Sequence, residues 1–176
     1  MNIAVVSYSY TGNSTRFAEV VAKELAAEHI RVQTKRPVNY GTITLDLLFQ
    51  RSPEIDLSPE ELGNYDLILL VGPVWMGMVA FPLRRCLREL KKHPRPYGFL
   101  SVSGGADGNN PKLAEELTRR TGARPQVLLD QHIRELLPPE PTPTRDDTSN
   151  YQLTEADCAR FAGRAVEKVR LAYPGL

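Results

Sequence analysis

The sequence predicts an α/β fold, a doubly wound sandwich with a parallel sheet covered by helices on both faces. Three observations predict it. Ile3-Ala4-Val5-Val6 and the run Asp66–Val71 (DLILLV) are short and apolar, as strands buried on both faces must be. Amphipathic stretches of helical period alternate with such runs along the chain. At 176 residues the chain is long enough for one core, so it reads as a single domain, 1–176.

The elements follow in order. After Ile3–Val6, the stretch Ser7–Thr15 is polar and carries one glycine. From Phe17 the period changes, and Phe17, Val20, Val21 and Leu25 share one helical face. Ile30–Lys35 reads as a second strand. Arg36–Asn64 is a long connection with room for two short helices, one at Leu45–Phe49 and one started by Ser58-Pro59-Glu60-Glu61. Asp66–Val71 is the strongest strand. Gly72–Phe81 is a loop, and Pro82 opens a helix with Leu83, Cys86, Leu87 and Leu90 on its apolar face. Arg84, Arg85, Arg88, Lys91 and Lys92 fall on its solvated face, and Pro94 and Pro96 stop it. Tyr97–Val102 is a fourth strand, followed by a glycine-rich loop, Ser103–Asn109. Asn110-Pro111 caps a further helix ending near Gly122. Gln126–Leu129 begins a fifth strand. Pro138–Pro143 reads as an extended surface segment, and Thr154-Glu155-Ala156-Asp157 starts a last helix running to about Tyr173.

Composition excludes several classes. Lys and Arg number 22 against 21 Asp and Glu, a formal charge of +1. Non-specific nucleic-acid binding needs a basic excess, and an acidic carrier needs the opposite, so neither is expected. Cys86 and Cys158 are too few for a disulfide framework and fit a reducing, cytoplasmic setting. The start MNIAVVSYSY has no basic leader, so no signal peptide is expected. The uncharged run Leu67–Leu83 is broken by Gly72, Pro73, Gly77 and Pro82 and falls short of the ~20 apolar residues of a membrane span.

In doubly wound sheets, ligands bind outside the carboxyl ends of the strands. Three loops leave those ends here. The first, Ser7-Tyr8-Ser9-Tyr10-Thr11-Gly12-Asn13-Ser14-Thr15, feeds a helix. Backbone N–H groups and the positive helix end converge there, hydroxyls add neutral donors, and Gly12 permits close approach. That suits a terminal phosphate, although the same pattern also serves as an ordinary N-cap and turn. The lysine and glycines of a P-loop are absent, and so is a GxGxxG fingerprint. The second loop carries Trp75, the only tryptophan, between Gly72 and Gly77. It is either a ligand wall or a packing residue. The third is rich in glycine.

Ser9-x-Thr11-Gly12-Asn13-Ser14, after a hydrophobic strand and before Phe17-Ala18, resembles the FMN phosphate loop of the flavodoxin family. That family usually has Thr where this chain has Ser14. Pro73-Val74-Trp75-Met76-Gly77 resembles its second flavin loop, and Ser103-Gly104-Gly105-Ala106-Asp107-Gly108 its third. Val71-Gly72 stands where relatives often have Gly followed by Thr or Ser, which removes a polar contact. The resemblance covers the chain in element order. It implies a flavodoxin-like, five-stranded sheet of order 2-1-3-4-5, with FMN as cofactor. Ser9, Tyr10, Thr11, Gly12, Asn13 and Ser14 would hold the phosphate. Pro73, Val74, Trp75, Met76 and Gly77 would line the isoalloxazine. Ser103, Gly104, Gly105 and Gly108 would close its other rim. Electrons would pass either to a redox partner protein or from NAD(P)H to a small acceptor such as a quinone. A non-redox phosphate-ligand or regulatory module on the same fold is the rival from another class.

No protein acid, base or nucleophile stands out, so no catalytic residue is assigned. His29, His93 and His132 lack metal-binding spacing, and no metal site is expected. His29 and His93 read as solvated, His132 has no assignment, and Cys86 reads as inert core. Cys158, in the first turn of the last helix, has a reactive thiol as its minority reading. Asp107 reads as a solvated loop carboxylate. The sequence specifies neither the oligomeric state nor the electron donor.

Overall fold

The computed structural model of the chain describes residues 1–35, 53–106 and 108–176. Five parallel strands form one sheet: β1 (Ile3–Ser7), β2 (Glu28–Arg31), β3 (Leu67–Val71), β6 (Tyr97–Ser103) and β7 (Val127–His132). Their order is β2-β1-β3-β6-β7. A small antiparallel hairpin, β4 (Val74–Trp75) and β5 (Met78–Val79), stands apart. Without that hairpin the order is the expected 2-1-3-4-5.

The continuous apolar runs sit where their composition demands. All five residues of β1 and of β3 are buried, and their registers pair Ala4 with Ile68 and Val6 with Leu70. One face of the sheet carries α1 (Asn13–Glu24) and α5 (Glu155–Ala172), packed around Phe17, Val21, Phe161 and Val169. The other carries α2 (Arg84–Lys92) and α3 (Leu113–Thr121), around Leu83, Leu87, Leu113 and Leu117. The chain leaves β1 toward β2 on one side and returns to β3 on the other. The crevice between the ends of β1 and β3 is therefore the switch point.

Several boundaries differ from expectation. The second strand is Glu28–Arg31, not Ile30–Lys35. It is a short edge strand with no fully buried residue, so it carries no apolar alternation to read. Its place is set by pairing, with Val5 opposite His29 and Val6 opposite Ile30. His29 consequently lies in a strand instead of ending a helix, and Ser7 Oγ is 2.8 Å from its Nε2. Burial lowers the pKa of this half-buried imidazole. Ser58 does cap a turn, but Pro59–Asn64 is 3-10, not α. Asn110-Pro111 does not cap α3, which starts at Leu113 with Lys112 before it. The Asn110 amide is used elsewhere, donating to Asp130 Oδ2 at 2.9 Å. Arg84 is buried, not solvated. Its guanidinium lies 4.1 Å over the Phe81 ring, and Nη2 is 3.4 Å from Met78 Sδ. The helix Arg145–Asn150, α4, was not foreseen. The expected helix at Leu45–Phe49 and the reading of Asp107 lie outside the described residues. Among the described residues no helix is long and apolar enough to cross a membrane, and no group of His, Cys, Asp and Glu could hold a metal ion.

The segment expected to be plain loop folds back as the β4–β5 hairpin. Both residues of its two-residue turn have positive φ, 51° at Met76 and 75° at Gly77. That is the type I′ arrangement, in which Asn-Gly is favoured. Met76→Asn should therefore stabilise the protein by about 0.5–1 kcal/mol by relieving left-handed strain. Chemical denaturation reads the change, and an unchanged or lower midpoint would contradict it.

Candidate functional site

The carboxyl ends of β1, β3 and β6 open into one cleft of about 260 Å³. Ser9, Tyr10, Thr11, Asn13 and Ser14 line it from the first loop, Pro73, Val74 and Trp75 from the second, and Ser103 and Gly104 from the third. Gly12, Met76, Gly77, Gly105 and Gly108 do not line it. Gly12, at φ 95°, shapes the turn into α1, while Met76 is 79% exposed at the hairpin tip. Val102, Ile133, Thr148 and Ser149 also line the cleft and were not foreseen.

The first loop is built to present donors. The N-cap residue of α1, Gly12, has no side chain to cap it, so first-turn N–H groups that Ser9 does not take face the loop. Ser9 Oγ folds the loop by accepting from Gly12 N–H at 2.9 Å and Ser14 N–H at 3.1 Å. Its own proton remains available. Asn13 turns away from this group. Its Nδ2 donates to the Tyr151 carbonyl at 2.8 Å and its Oδ1 accepts from Leu153 N–H at 2.9 Å. The Asn13 amide is thus committed to the link at residues 151–153 through Oδ1 and one Nδ2 proton, and its second Nδ2 proton is left over.

The second loop forms an aromatic wall. Trp75 meets Tyr8, Tyr10 and Phe81 edge-on, with ring centroids 5.9, 6.4 and 5.5 Å away. Trp75 thus lines the cleft and packs at the same time, with Arg84 stacked behind Phe81. Tyr8 is buried, and burial with Tyr10 nearby pushes its phenol up to about 12, so it stays neutral. Gly72 is fixed by packing, since a Cβ there would meet Leu83 Cδ1 at 2.5 Å.

The third loop rests on a buried polar cluster. Ser103 Oγ is buried in the cleft wall and has no hydrogen-bond partner among the described residues. Behind it, Asp130 accepts from Ser101 Oγ and Asn110 Nδ2, and His132 Nε2 lies 3.2 Å from its Oδ2. Gly105 packs directly on the His132 ring. His132 is therefore a buried support at the end of β7. The bond to Asp130 raises its pKa against the effect of burial. Burial opposes ionisation of Asp130, but bonds from His132, Ser101 and Asn110 outweigh it and hold the carboxyl below its usual range.

The signs of these shifts define a pH window. His132, with a raised folded pKa, stabilises fully below its unfolded value near ~6.5, and the contribution is lost as pH rises through the folded value. Asp130 stabilises above ~3.9, and that contribution is lost as pH falls through its lowered folded value. The His132 contribution to the apoprotein's melting temperature should therefore fall as pH rises above ~6.5, and His132→Gln should flatten the profile there. Parallel profiles for both proteins would refute the coupling.

Neither cysteine supplies chemistry. Both are buried, and burial pushes the Cys86 thiol up to about 12 and raises that of Cys158. The expectation of an inert Cys86 agrees with this environment, and so does the unreactive reading of Cys158.

No family model matches the chain, and no curated protein matches it. Solved structures do. A flavoprotein from Lactobacillus acidophilus, solved in complex with FMN, is 25% identical over 74% of this chain and 93% of its own, with a TM-score of 0.62. A flavodoxin from the domain Archaea is 18% identical over 97% of this chain and 99% of its own, with a TM-score of 0.50. The flavodoxin, WrbA-like protein from Agrobacterium tumefaciens is 14% identical over 100% of both chains, with a TM-score of 0.55. The topology and these matches agree: the fold is that of the flavodoxins.

Proposed function

We propose that this flavodoxin-like chain binds FMN non-covalently in the cleft and serves as an FMN-dependent oxidoreductase, passing electrons from NAD(P)H to a small acceptor such as a quinone. The observation that carries the cofactor is the convergence of three chemistries in one cleft. Ser9, Thr11 and Ser14 bring hydroxyls to the start of α1, which suits a phosphate dianion. Trp75 and Pro73 offer an apolar wall to a planar ring. Ser103 Oγ is buried with no partner among the described residues, and a ring carbonyl or nitrogen would satisfy it. The residues present therefore fit FMN, and the FMN complex of the Lactobacillus acidophilus flavoprotein supports the same ligand.

When bound, the isoalloxazine supplies the electron chemistry, while the protein binds, orients and shields it. The first loop holds the phosphate end. The Trp75 wall keeps water from one side of the ring. The choice of a reductase over a protein-to-protein carrier rests on the formal charge of +1, which gives little long-range steering toward a charged partner. NAD(P)H is the donor class, and the cytoplasm the compartment, that go with this reading.

Purification tests it. The protein should be yellow and should release FMN on denaturation. NAD(P)H oxidation should be slow alone and stimulated by a quinone. Yellow protein without such turnover favours the carrier. Colourless protein that takes up no added FMN returns the fold to a non-redox phosphate-ligand module.

A further inference from the structure

Asn13 sits at the start of α1, yet its side chain serves the far end of the chain. It is 3% exposed, and its amide bridges the Tyr151 carbonyl and the Leu153 N–H. One side chain thereby pairs with two peptides of the extended link between α4 and α5, as a neighbouring strand would. Arg16, one turn on, donates from Nη1 to the Leu153 carbonyl at 3.2 Å. The link is also tied to α5, because the Tyr151 hydroxyl donates to Asp157 Oδ2 at 2.9 Å.

This anchorage holds α4 against the cleft. On one side α4 meets the third loop so closely that a Cβ on Gly104 would lie 2.8 Å from Thr148 Oγ1. Thr148 is buried, and its hydroxyl donates within its own helix, toward the Thr144 and Arg145 carbonyls. Ser149 is exposed to the cleft. It precedes Tyr151 by two residues, so its Cα lies within about 7 Å of that of the residue clamped to the phosphate loop. Ser149 therefore lies between Thr148, which meets the third loop at Gly104, and Tyr151, which is clamped to Asn13 of the first loop, and it lines the cleft between those two loops.

We propose that Asn13 is a positioning residue that docks α4 as a fourth wall of the cleft, and that the Ser149 hydroxyl on this wall hydrogen-bonds the ribityl–phosphate chain of the cofactor. The wall slows release of the cofactor. The identity of the ligand rests on the FMN reading above, whereas the docking does not.

Hydrogen exchange on the apoprotein and FMN release by stopped flow test the two parts. In the apoprotein, Asn13→Ala should raise exchange at the Leu153 amide at least tenfold. Loaded with FMN, the same variant should release it about ten to one hundred times faster. Tyr151→Phe removes the bond to Asp157 but leaves the clamp, so it should lose stability without changing either readout. That variant separates positioning from general destabilisation. Ser149→Ala, at an exposed site, should keep wild-type stability and bind FMN about five- to tenfold more weakly. A Leu153 amide unchanged in Asn13→Ala would overturn the docking. A freed amide with unchanged FMN release would overturn the wall's role, and unchanged affinity in Ser149→Ala would overturn the hydroxyl contact. If wild-type protein binds no FMN, the cofactor reading and the Ser149 contact fail together, and Leu153 exchange still decides the docking.

Discussion

Gly105→Ala should cost about 2–4 kcal/mol of stability and take most of the cofactor affinity with it. Two penalties combine at this position. Gly105 has φ 76°, a left-handed conformation that a Cβ disfavours by about 1–2 kcal/mol. The new methyl would also lie 2.4 Å from His132 Cβ and 2.6 Å from its Cγ. Those atoms are the root of a side chain held between Asp130 and the third loop, so they have no easy way to yield. Relief would move Gly104 as well, because its carbonyl accepts from Arg134 N–H at 3.1 Å. Gly108→Ala is the internal control. Its φ is 92°, but nothing lies within 4 Å of the added Cβ, so it should pay the backbone penalty alone. The identity of the clashing atom gives a second check. His132→Ala should not rescue Gly105→Ala, because the Cβ remains, whereas His132→Gly should recover part of the loss. Urea denaturation measures all four proteins, and equal losses for Gly105→Ala and Gly108→Ala would show that the contact is not limiting.

This contact also shows where sequence reading stops. The glycines of the third loop were legible as a loop, but not the reason for each one. Gly105 is required by His132, its partner from β7, and no local spacing announces that pairing. The first loop was more legible because its geometry is local: Ser9 reaches Gly12 and Ser14 within five residues. Strand identity was legible in β1 and β3, where burial on both faces leaves unbroken apolar runs at Ile3–Val6 and Leu67–Val71. It was not legible in β2, whose exposed edge leaves no pattern. Arg84 misled for a related reason. Its helical face looks solvated, and Arg88, Lys91 and Lys92 are indeed exposed, but the β4–β5 hairpin folds over the first turn and buries the arginine. The structural role of Asn13 was not legible because its partners stand 138 and 140 residues away. The α4 wall did carry a signal. Thr144 and Asp147 form a reciprocal capping box, the same device read correctly at Thr154 and Asp157. The surrounding prolines drew the reading toward extended chain instead.

FMN should bind at least about 100-fold more tightly than riboflavin, and the difference should reside in the first loop. Riboflavin offers the same ring to Trp75 and Ser103 but lacks the phosphate. A hydrogen bond to a charged group contributes about 1.5–3 kcal/mol, so two net bonds already exceed a hundredfold at 1.4 kcal/mol per tenfold. Ser9, Thr11 and Ser14 line the cleft at the start of α1, and the helix end adds about 0.3–1 kcal/mol for an anion. The donors that line this loop are neutral, which separates this site from a lysine-based one. Most of the preference should therefore come from short-range bonds and survive high salt, with only the helix-end contribution screened. Ser9→Ala is the sharpest probe. It removes a cleft hydroxyl and also the acceptor that holds the Gly12 and Ser14 N–H groups in place. Its FMN affinity should fall about tenfold or more, as expected for one lost bond to a charged group. Riboflavin, held by the other two loops, should change little. Fluorescence quenching of both flavins at low and high salt reads the outcome. Equal affinities of the wild-type protein for FMN and riboflavin would mean that the loop does not bind phosphate. A preference abolished by salt would mean that a charged side chain, not the hydroxyls and amides of this turn, holds it.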